Sequence, residues 1–325
     1  MLLYIFRRVM IMIPTLILIS LLCFIIIELP PGDMIDMAHN AMGRFRSDED
    51  LANLRAIWGL DRPGYVRYFR WISRFVIGDF GYSFRFQAPV KTLIWNRFVM
   101  TAVISMLSLL FTWVVAFPIA IYSATHQYSF GDFFWTVIGF LGLAIPNFLL
   151  ALILLVLFFR FFPNVGIGGL FAPRFQSAPW SIAKILNLMA HLVIPVIVVG
   201  TSSTCGLIRT VRANLLDEVK KPYVQTARAK GVGETKLLLK YPVRIALNPF
   251  FSTVGWVLPS LISGAVITAI VLGLPTSGPL LLRALEAQDM PLAGAFIMLM
   301  AILTVVGTLV SDILLAIVDP RIRFE

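Results

Sequence analysis

The stretch KPYVQTARAKGVGETKLLLKYPVRIALNP, from Lys221 to Pro249, is a basic and polar segment between two long apolar runs. Pro222 suits the first turn of a helix, where a missing N–H costs nothing, and Gly231 suits the left-handed position just past a helix end. Tyr223, Ala227 and Gly231 recur every four residues and therefore share one face. The sequence predicts a short helix whose small-residue face receives a docking partner, because so short a helix is rarely stable alone. A basic helix lying on a membrane surface fits the same pattern.

The composition is that of an integral membrane protein. Hydrophobic residues make up 59% of the chain and charged residues 14%, with a mean hydropathy of +0.88. A soluble domain carries about a quarter charged residues. The formal charge of +10 indicates cytoplasmic loops facing anionic lipid rather than a nucleic-acid partner. Cys23 and Cys205 lie in or beside apolar runs and are expected to be free thiols, and no metal motif uses them.

Six apolar runs predict an all-α protein with six transmembrane helices. Each run exceeds the ~20 residues that a helix needs to cross the hydrocarbon core. Arg7 and Arg8 precede the first run, which is longer than the apolar core of a cleavable signal and indicates a cytoplasmic N-terminus. The predicted spans are Val9–Leu29, Phe98–Thr125, Phe133–Phe159, Ile185–Ile208, Pro249–Leu272 and Met290–Val318.

The predicted organisation is a first transmembrane helix (1–30), an extracytoplasmic insert (31–97) and a five-helix transmembrane core (98–325). The core includes a cytoplasmic loop at 213–245. Between the fourth and fifth spans nine basic residues face three acidic ones, which places this loop and both termini in the cytoplasm by the positive-inside rule.

The insert is predicted to contain two helices. SDEDLANLRAIWGL reads as a helix with Ser47 as N-cap, acidic residues in its first turn and Gly59 at its end. RPGYVRYFRWISRFVIGDFGYSF then reads as a basic, aromatic helix followed by a glycine-rich turn. Taken alone, this second helix fits a membrane-surface location.

A few residues inside the spans are candidates for a pathway or gate. Proline interrupts the second to fifth spans, Pro146-Asn147 among them, and such breaks suit either a pathway of bent helices or ordinary packing kinks. Asp312 suits a structural cap or ion pair better than a proton relay, because a lone acid makes a poor relay. His191 suits a hydrogen-bonded helix contact better than a ligand. Glu28 lies at the outer edge of the first span and fits an outer gate or an interfacial position equally well.

The chain lacks a nucleotide-binding motif. The nearest approach is GLPTSGP from Gly273 to Pro279, where Pro279 stands at the position of the phosphate-binding lysine. No zinc motif or nucleophile elbow is present either. We therefore expect no catalytic activity, no bound metal and no cofactor in this chain, and any ATP would be hydrolysed by another chain.

The basic segment resembles the cytoplasmic loop of ATP-binding-cassette importer permeases, and TARAKG in particular resembles the dipeptide/oligopeptide type. Gln225, Thr226, Ala227 and Gly231 occupy the Glu, Ala, Ala and Gly positions of that loop. The segment GLDRP…GDFGYS, the stretch VITAIVLGLPTSGPLLLRAL and the ending LVSDILLAIVDPRIRFE resemble the same family. The stretch VITAIVLGLPTSGPLLLRAL departs from the family at Ala269, where members usually carry Glu.

The resemblance implies one permease subunit of a peptide importer. It implies a homologous second permease, two ATPase subunits that bind ATP and Mg²⁺, an extracytoplasmic solute-binding protein and surrounding lipid. The residues that it assigns to ATPase coupling are Tyr223, Gln225, Thr226, Ala227, Arg228, Ala229, Lys230 and Gly231.

Oligosaccharides, opines and nickel complexes remain alternative solutes. A proton-coupled secondary transporter is an alternative of another class, and it would need a relay of intramembrane acids. A membrane-anchored sensing protein would have no use for the basic helix.

Overall fold

The computed structural model describes residues 2–29, 35–36, 48–83, 85–161, 168–250 and 266–318. These residues are mainly helical and include a two-stranded antiparallel hairpin. The helices before the long fourth-span helix are α1 (Leu2–Glu28), α2 (Asp48–Trp58), α3 (Gly64–Val76), α4 (Val90–Thr125), α5 (Phe130–Ala144), α6 (Asn147–Phe161) and α7 (Pro173–Gln176). The remaining helices are α8 (Ile182–Val219), α9 (Pro222–Ala229), α10 (Glu234–Lys240), α11 (Pro242–Ala246), α12 (Val266–Val271), α13 (Ser277–Glu286) and α14 (Met290–Val318). The hairpin strands are β1 (Tyr82–Ser83) and β2 (Ala88–Pro89).

Four of the described helices, α1, α4, α8 and α14, are long and apolar enough to cross a membrane. They correspond to the first, second, fourth and sixth predicted spans, and α14 has the predicted bounds. The fifth predicted span falls largely on residues 251–265, which lie outside the described ranges. The total of six spans therefore stays a prediction, while a multi-pass helical membrane protein is confirmed.

The third predicted span is not one straight helix. Instead α5 and α6 meet at Pro146 with a bend of 105°. Ile145 has an extended backbone (φ −79°, ψ 119°), as expected for a residue before proline, so α5 ends there. Each half has 15 residues, or roughly 22 Å at 1.5 Å per residue, which is shorter than the ~30 Å hydrocarbon core. The sequence predicted the apolar composition of this region and a break at Pro146-Asn147, but it did not predict how large the bend is.

The chain divides into two compact units, and residues 102–275 make up most of the first. In this unit α5, α6 and α11 all pack against α8. A stripe of alanines at four-residue spacing on α4, Ala116, Ala120 and Ala124, shares a core with Val211 and Leu215 of α8. Small side chains let the backbones approach closely, which is how membrane helices gain packing energy when lipid supplies no hydrophobic driving force between them.

The second unit comprises residues 6–101 and 276–305. Several of its polar side chains are buried and paired. The Ser83 hydroxyl, at the end of β1, donates to the carboxylate of Asp289, and we call this contact the hairpin dock. Thr101 Oγ1 lies 2.6 Å from Ser277 Oγ and also accepts a hydrogen bond from the Ser277 backbone N–H. Asp289 precedes α14 and accepts from the Leu292 N–H at 3.3 Å, so it caps that helix as well.

Both predicted helices of the insert are present. Helix α2 ends before Gly59, whose φ of +70° is the left-handed conformation that glycine adopts without strain. Ser47, the predicted N-cap, lies outside the described residues. Helix α3 covers the basic, aromatic segment, and Gly78 and Gly81 in the predicted turn also have positive φ.

Candidate functional site

Helix α8 leads almost directly into the predicted coupling helix, α9. Only Lys220 and Lys221 separate the two helices. Lys221 is extended (φ −70°, ψ 150°), the conformation favoured before a proline, and Pro222 occupies the first helical position. A helix of 38 residues is therefore followed, after one sharp turn, by a helix of eight.

Gly231 ends this short helix as predicted. It has a φ of +76°, and an added Cβ would meet no atom within 4 Å. Its N–H donates to the carbonyl of Arg228, and the next N–H, that of Val232, donates back to the carbonyl of Ala227. This pattern of a left-handed glycine followed by an apolar contact is a common helix stop.

One residue of the predicted docking face, Ala227, points into the chain. Ala227 is 9% exposed and shares a small core with Val224 and Leu237, against which Val232 and Tyr241 pack. Four-residue spacing identified a shared face correctly, but that face was assigned to a partner protein. Leu237 of α10 packs against Ala227, so Ala227 stabilises the basic loop (residues 220–241) from inside, while Tyr223 and Gly231 of the same face are exposed.

The opposite face of α9 points outward. Gln225, Thr226 and Ala229 are exposed there, at positions opposite Val224 and Ala227 on the helical wheel. The Thr226 hydroxyl donates to the carbonyl of Pro222 at 2.9 Å, and Gln225 Nε2 donates to the carbonyl of Lys220 at 3.2 Å. On this exposed face the polar side chains of Gln225 and Thr226 are bonded to nearby backbone and Ala229 is small, which leaves room for another surface to approach.

Glu218 fastens α9 to the end of α8. One carboxylate oxygen accepts from Lys221 Nζ, and the other accepts from the Tyr223 hydroxyl at 2.6 Å. Glu218 is buried, while Tyr223 is 36% exposed. The three side chains hold the turn between the two helices in one geometry.

A second ion pair closes the far side of the basic loop. Arg228 Nε donates to Glu234 Oε2 at 3.1 Å, and a second guanidinium N–H donates to Oε1, so the pair is bidentate. Arg228 lowers the pKa of the Glu234 carboxyl, and Glu234 raises the pKa of Arg228 in return. Lys230, the remaining charged residue of the predicted set, is exposed beside Gly231.

Sequence reasoning missed a buried ion pair between α5 and α8. Arg212 donates through Nε and Nη2 to the two oxygens of Asp132, at 2.8 and 2.7 Å. The Asp132 side chain is 5% exposed and also accepts from the Tyr128 N–H at 3.0 Å. The Ser129-x-x-Asp132 pattern predicts a helix start, and Ser129 does accept the Asp132 N–H. No local signal could identify a partner 80 residues away.

The candidate gate residues lie in different elements. Glu28 pairs with Arg67 at 2.7 Å. Buried His191 lies 2.8 Å, through Nδ1, from the carbonyl of Asn187 in its own helix, and its role stays a prediction. Pro146 and Asn147 form the break between α5 and α6, and Asp312 is half-buried in α14 with contacts of its own. The contacts of Glu28 and His191 involve no other candidate gate residue.

Comparisons with known proteins cover the chain from end to end. Residues 116–324 match the model of a family described as "Binding-protein-dependent transport system inner membrane component". Residues 1–106 match the model of the N-terminal region of such membrane components. Together the two matches include the bent pair α5–α6, the long helix α8 and the basic loop.

Three similar proteins illustrate the relatives. The oligopeptide transport system permease protein AppB of Bacillus subtilis is 35% identical over 325 residues, covering 99% of each chain. A putative peptide permease protein of Brucella ovis is 32% identical, and the glutathione transport system permease protein GsiC of Escherichia coli K12 is 30% identical. Each of these two matches covers 99% of both chains.

Proposed function

This chain belongs to the family of binding-protein-dependent transport system inner membrane components, and on that premise we propose that it is a permease subunit of an ATP-binding-cassette importer for peptides. The chain supplies part of the transport path and the mechanical coupling, and it performs no catalysis itself. Partner subunits bind and hydrolyse ATP with Mg²⁺, because this sequence has no phosphate-binding loop.

The observation that carries the coupling role is the junction of α8 and α9. Helix α9 presents Gln225, Thr226 and Ala229 outward, while Glu218 ties its base to α8. A push on the outward face therefore acts on a 38-residue helix rather than on a flexible loop. We propose that this face, rather than the Ala227 face, seats in an ATPase subunit.

The ion pair between Arg212 and Asp132 extends this path from α8 to α5. It lies about two turns before the end of α8 and joins that helix to the first half of the bent pair. Removing one partner of a buried pair leaves the other charge uncompensated, so the contact resists separation. Closure of the ATPases would then move α8 and α5 together and change the angle at Pro146 and Asn147, which we propose as a pathway element.

The proposed assembly contains this chain, a homologous second permease, two ATPase subunits and an extracytoplasmic solute-binding protein. Both termini and the basic loop face the cytoplasm in this arrangement. The family description supports a binding-protein-dependent inner-membrane system. The orientation is supported by the excess of Lys and Arg in the loop after α8.

Peptides are the proposed cargo because the relatives reported above are named for oligopeptide, peptide or glutathione transport. The test is ATP hydrolysis by the complete complex with its binding protein in lipid nanodiscs. Short peptides should stimulate hydrolysis, and oligosaccharides at the same concentrations should not. Stimulation by oligosaccharides alone would contradict the peptide assignment.

The coupling face is tested with three matched substitutions to Glu in the complete complex. Ala229→Glu, on the outward face, should lower peptide uptake by about tenfold or more, which corresponds to about 1.4 kcal/mol of docking free energy. It should leave the thermal stability of the permease unchanged. Thr235→Glu, at an exposed position of α10, is the control and should have little effect on either quantity.

Ala227→Glu should act differently, because it places a carboxylate in the core with Val224 and Leu237. We expect loss of thermal stability before any specific loss of coupling. If Ala229→Glu and Thr235→Glu leave uptake equally intact while Ala227→Glu alone prevents ATPase binding in a well-folded permease, the outward face is not the docking surface.

A further inference from the structure

Helix α3 packs one of its faces against the last turns of α1. The Tyr68 hydroxyl lies 2.7 Å from Ser20 Oγ, and the Phe24 ring is 5.6 Å from that of Tyr68. Arg67 pairs with Glu28 at 2.7 Å. These contacts place α3 against the end of a helix that is itself apolar enough to span a membrane.

The contacts also define the level along the axis of α1 at which α3 packs. Phe24 lies four residues before the end of α1, or about 6 Å along its axis, and Ser20 lies about 12 Å from that end. At this level α1 exposes large aliphatic side chains, with Leu22 51%, Ile25 52% and Ile26 50% exposed. On a spanning helix such residues face hydrocarbon.

Helix α3 has two further edges of opposite character. Tyr65, Phe69, Ile72 and Val76 follow the i, i+4, i+7, i+11 spacing of a single edge. Tyr65 is 69%, Phe69 65% and Val76 78% exposed, so no other part of the described chain covers them. Arg74, with its side chain exposed, lies roughly opposite this edge on the helix.

We propose that α3 lies in the membrane interface, with its apolar edge covered by phospholipid. This edge continues the lipid-facing surface of α1 at the same depth, while the Arg74 edge faces water. An amphipathic helix with aromatic residues on one side and arginine on the other is the usual form of such an element. A water-borne protein partner would reach the Arg74 edge first, so lipid is the occupant that the geometry favours.

The start of α4 supports the same location. Lys91 Nζ lies 4.0 Å from the point where a Cβ on Gly78, just beyond α3, would stand. Trp95, one turn further along α4, is 66% exposed. Aromatic side chains with flanking basic residues mark the boundary between hydrocarbon and headgroups in membrane proteins. Only the assignment of this boundary to the outer leaflet rests on the orientation proposed above.

Spin labels at opposite edges of α3 test the proposal. Phe69→Cys and Arg74→Cys, each carrying a nitroxide, are compared in the complete transporter in nanodiscs of phosphatidylethanolamine and phosphatidylglycerol. Collision with oxygen, which concentrates in lipid, and with a water-soluble nickel chelate reports the environment of each label. Cys23 and Cys205 are buried, so the parent protein treated in the same way provides the blank.

The label at position 69 should collide several-fold more with oxygen relative to nickel than the label at position 74. Tyr65→Cys repeats the reading one turn earlier if the first variant folds poorly. Equal access of nickel to positions 69 and 74 would overturn the proposal. Protection of position 69 only after addition of the solute-binding protein would also overturn it, by identifying the edge as a protein-docking surface.

Discussion

The basic loop and the hairpin dock each contain an acidic side chain bound to a partner, yet the two acids have opposite surroundings. In the basic loop the side chains of Arg228 and Glu234 are 48% and 54% exposed. In the hairpin dock Asp289 is 4% exposed and Ser83 is fully buried. Water screens the Arg228–Glu234 ion pair, whereas losing the Ser83–Asp289 hydrogen bond would leave a buried polar group without a partner. We therefore expect the bidentate ion pair of the basic loop to contribute less to stability than the single buried hydrogen bond of the hairpin dock.

Asp289→Ala should produce the largest effect. It removes the cap of α14 and leaves the buried Ser83 hydroxyl without its acceptor, at a cost of about 2–3 kcal/mol. The measurement is the apparent melting temperature of the purified permease. Asp289→Asn keeps an acceptor at the same place and is the control. Equal losses for both variants would show that the negative charge, and not the hydrogen bonding, holds the dock.

The same carboxylate should make stability depend on pH. Burial raises the pKa of Asp289, while hydrogen bonds from Ser83, Leu292 and Arg85 partly oppose that increase. The folded state then binds more protons than the unfolded state between the ordinary aspartate pKa and the raised folded value. Stability should fall as pH rises through this window and level off above it.

Melting temperatures across that pH range, compared between the parent protein and Asp289→Asn, isolate this contribution. The difference between the two should vanish at the acidic end, apart from a constant offset. A parent protein that gains stability relative to the variant as pH rises would reverse the sign and contradict the burial argument.

Gly231→Ala should have a smaller effect, confined to the basic loop. The φ of +76° strains any residue with a Cβ, at about 1 kcal/mol, although the surrounding space is open. Hydrogen exchange at the Val232 amide, which closes the cap, is the measurement. Gly233→Ala is the matched control, because Gly233 has a φ of −56° and equally open surroundings. Equal exchange rates in the two variants would mean that the left-handed cap does not hold the helix end.

Glu234→Gln should have the smallest effect of the series. Its partner Arg228 is exposed, and salt screens the interaction between them. We expect an unchanged melting temperature at physiological ionic strength. A loss comparable to that of Asp289→Ala would remove the contrast between the two regions and indicate that the basic loop depends on its surface charges.

Local patterns predicted the ends of elements well. Pro222 and Gly231 bracket α9, Gly59 ends α2, and Met290–Val318 is a helix with the predicted bounds. Each of these follows from the conformational limits of a few neighbouring residues. The same reasoning assigned the Ala227 face to a partner, because spacing identifies a face but not what covers it.

Contacts distant in sequence could not be predicted. The Asp132–Arg212 pair spans 80 residues and the Ser83–Asp289 contact spans 206. The bend of 105° at Pro146 also depends on packing, since both α5 and α6 lie against α8. A proline permits many angles, and only the neighbouring helix selects one.

The sequence alone determined that this chain is a helical membrane protein with a basic helix after its fourth predicted span, since hydropathy, proline and glycine act locally. The tertiary structure decided which face of that helix is free, which acids are buried and by how much the third predicted span bends. Those properties depend on residues brought together from distant parts of the chain, and no local pattern carries that information.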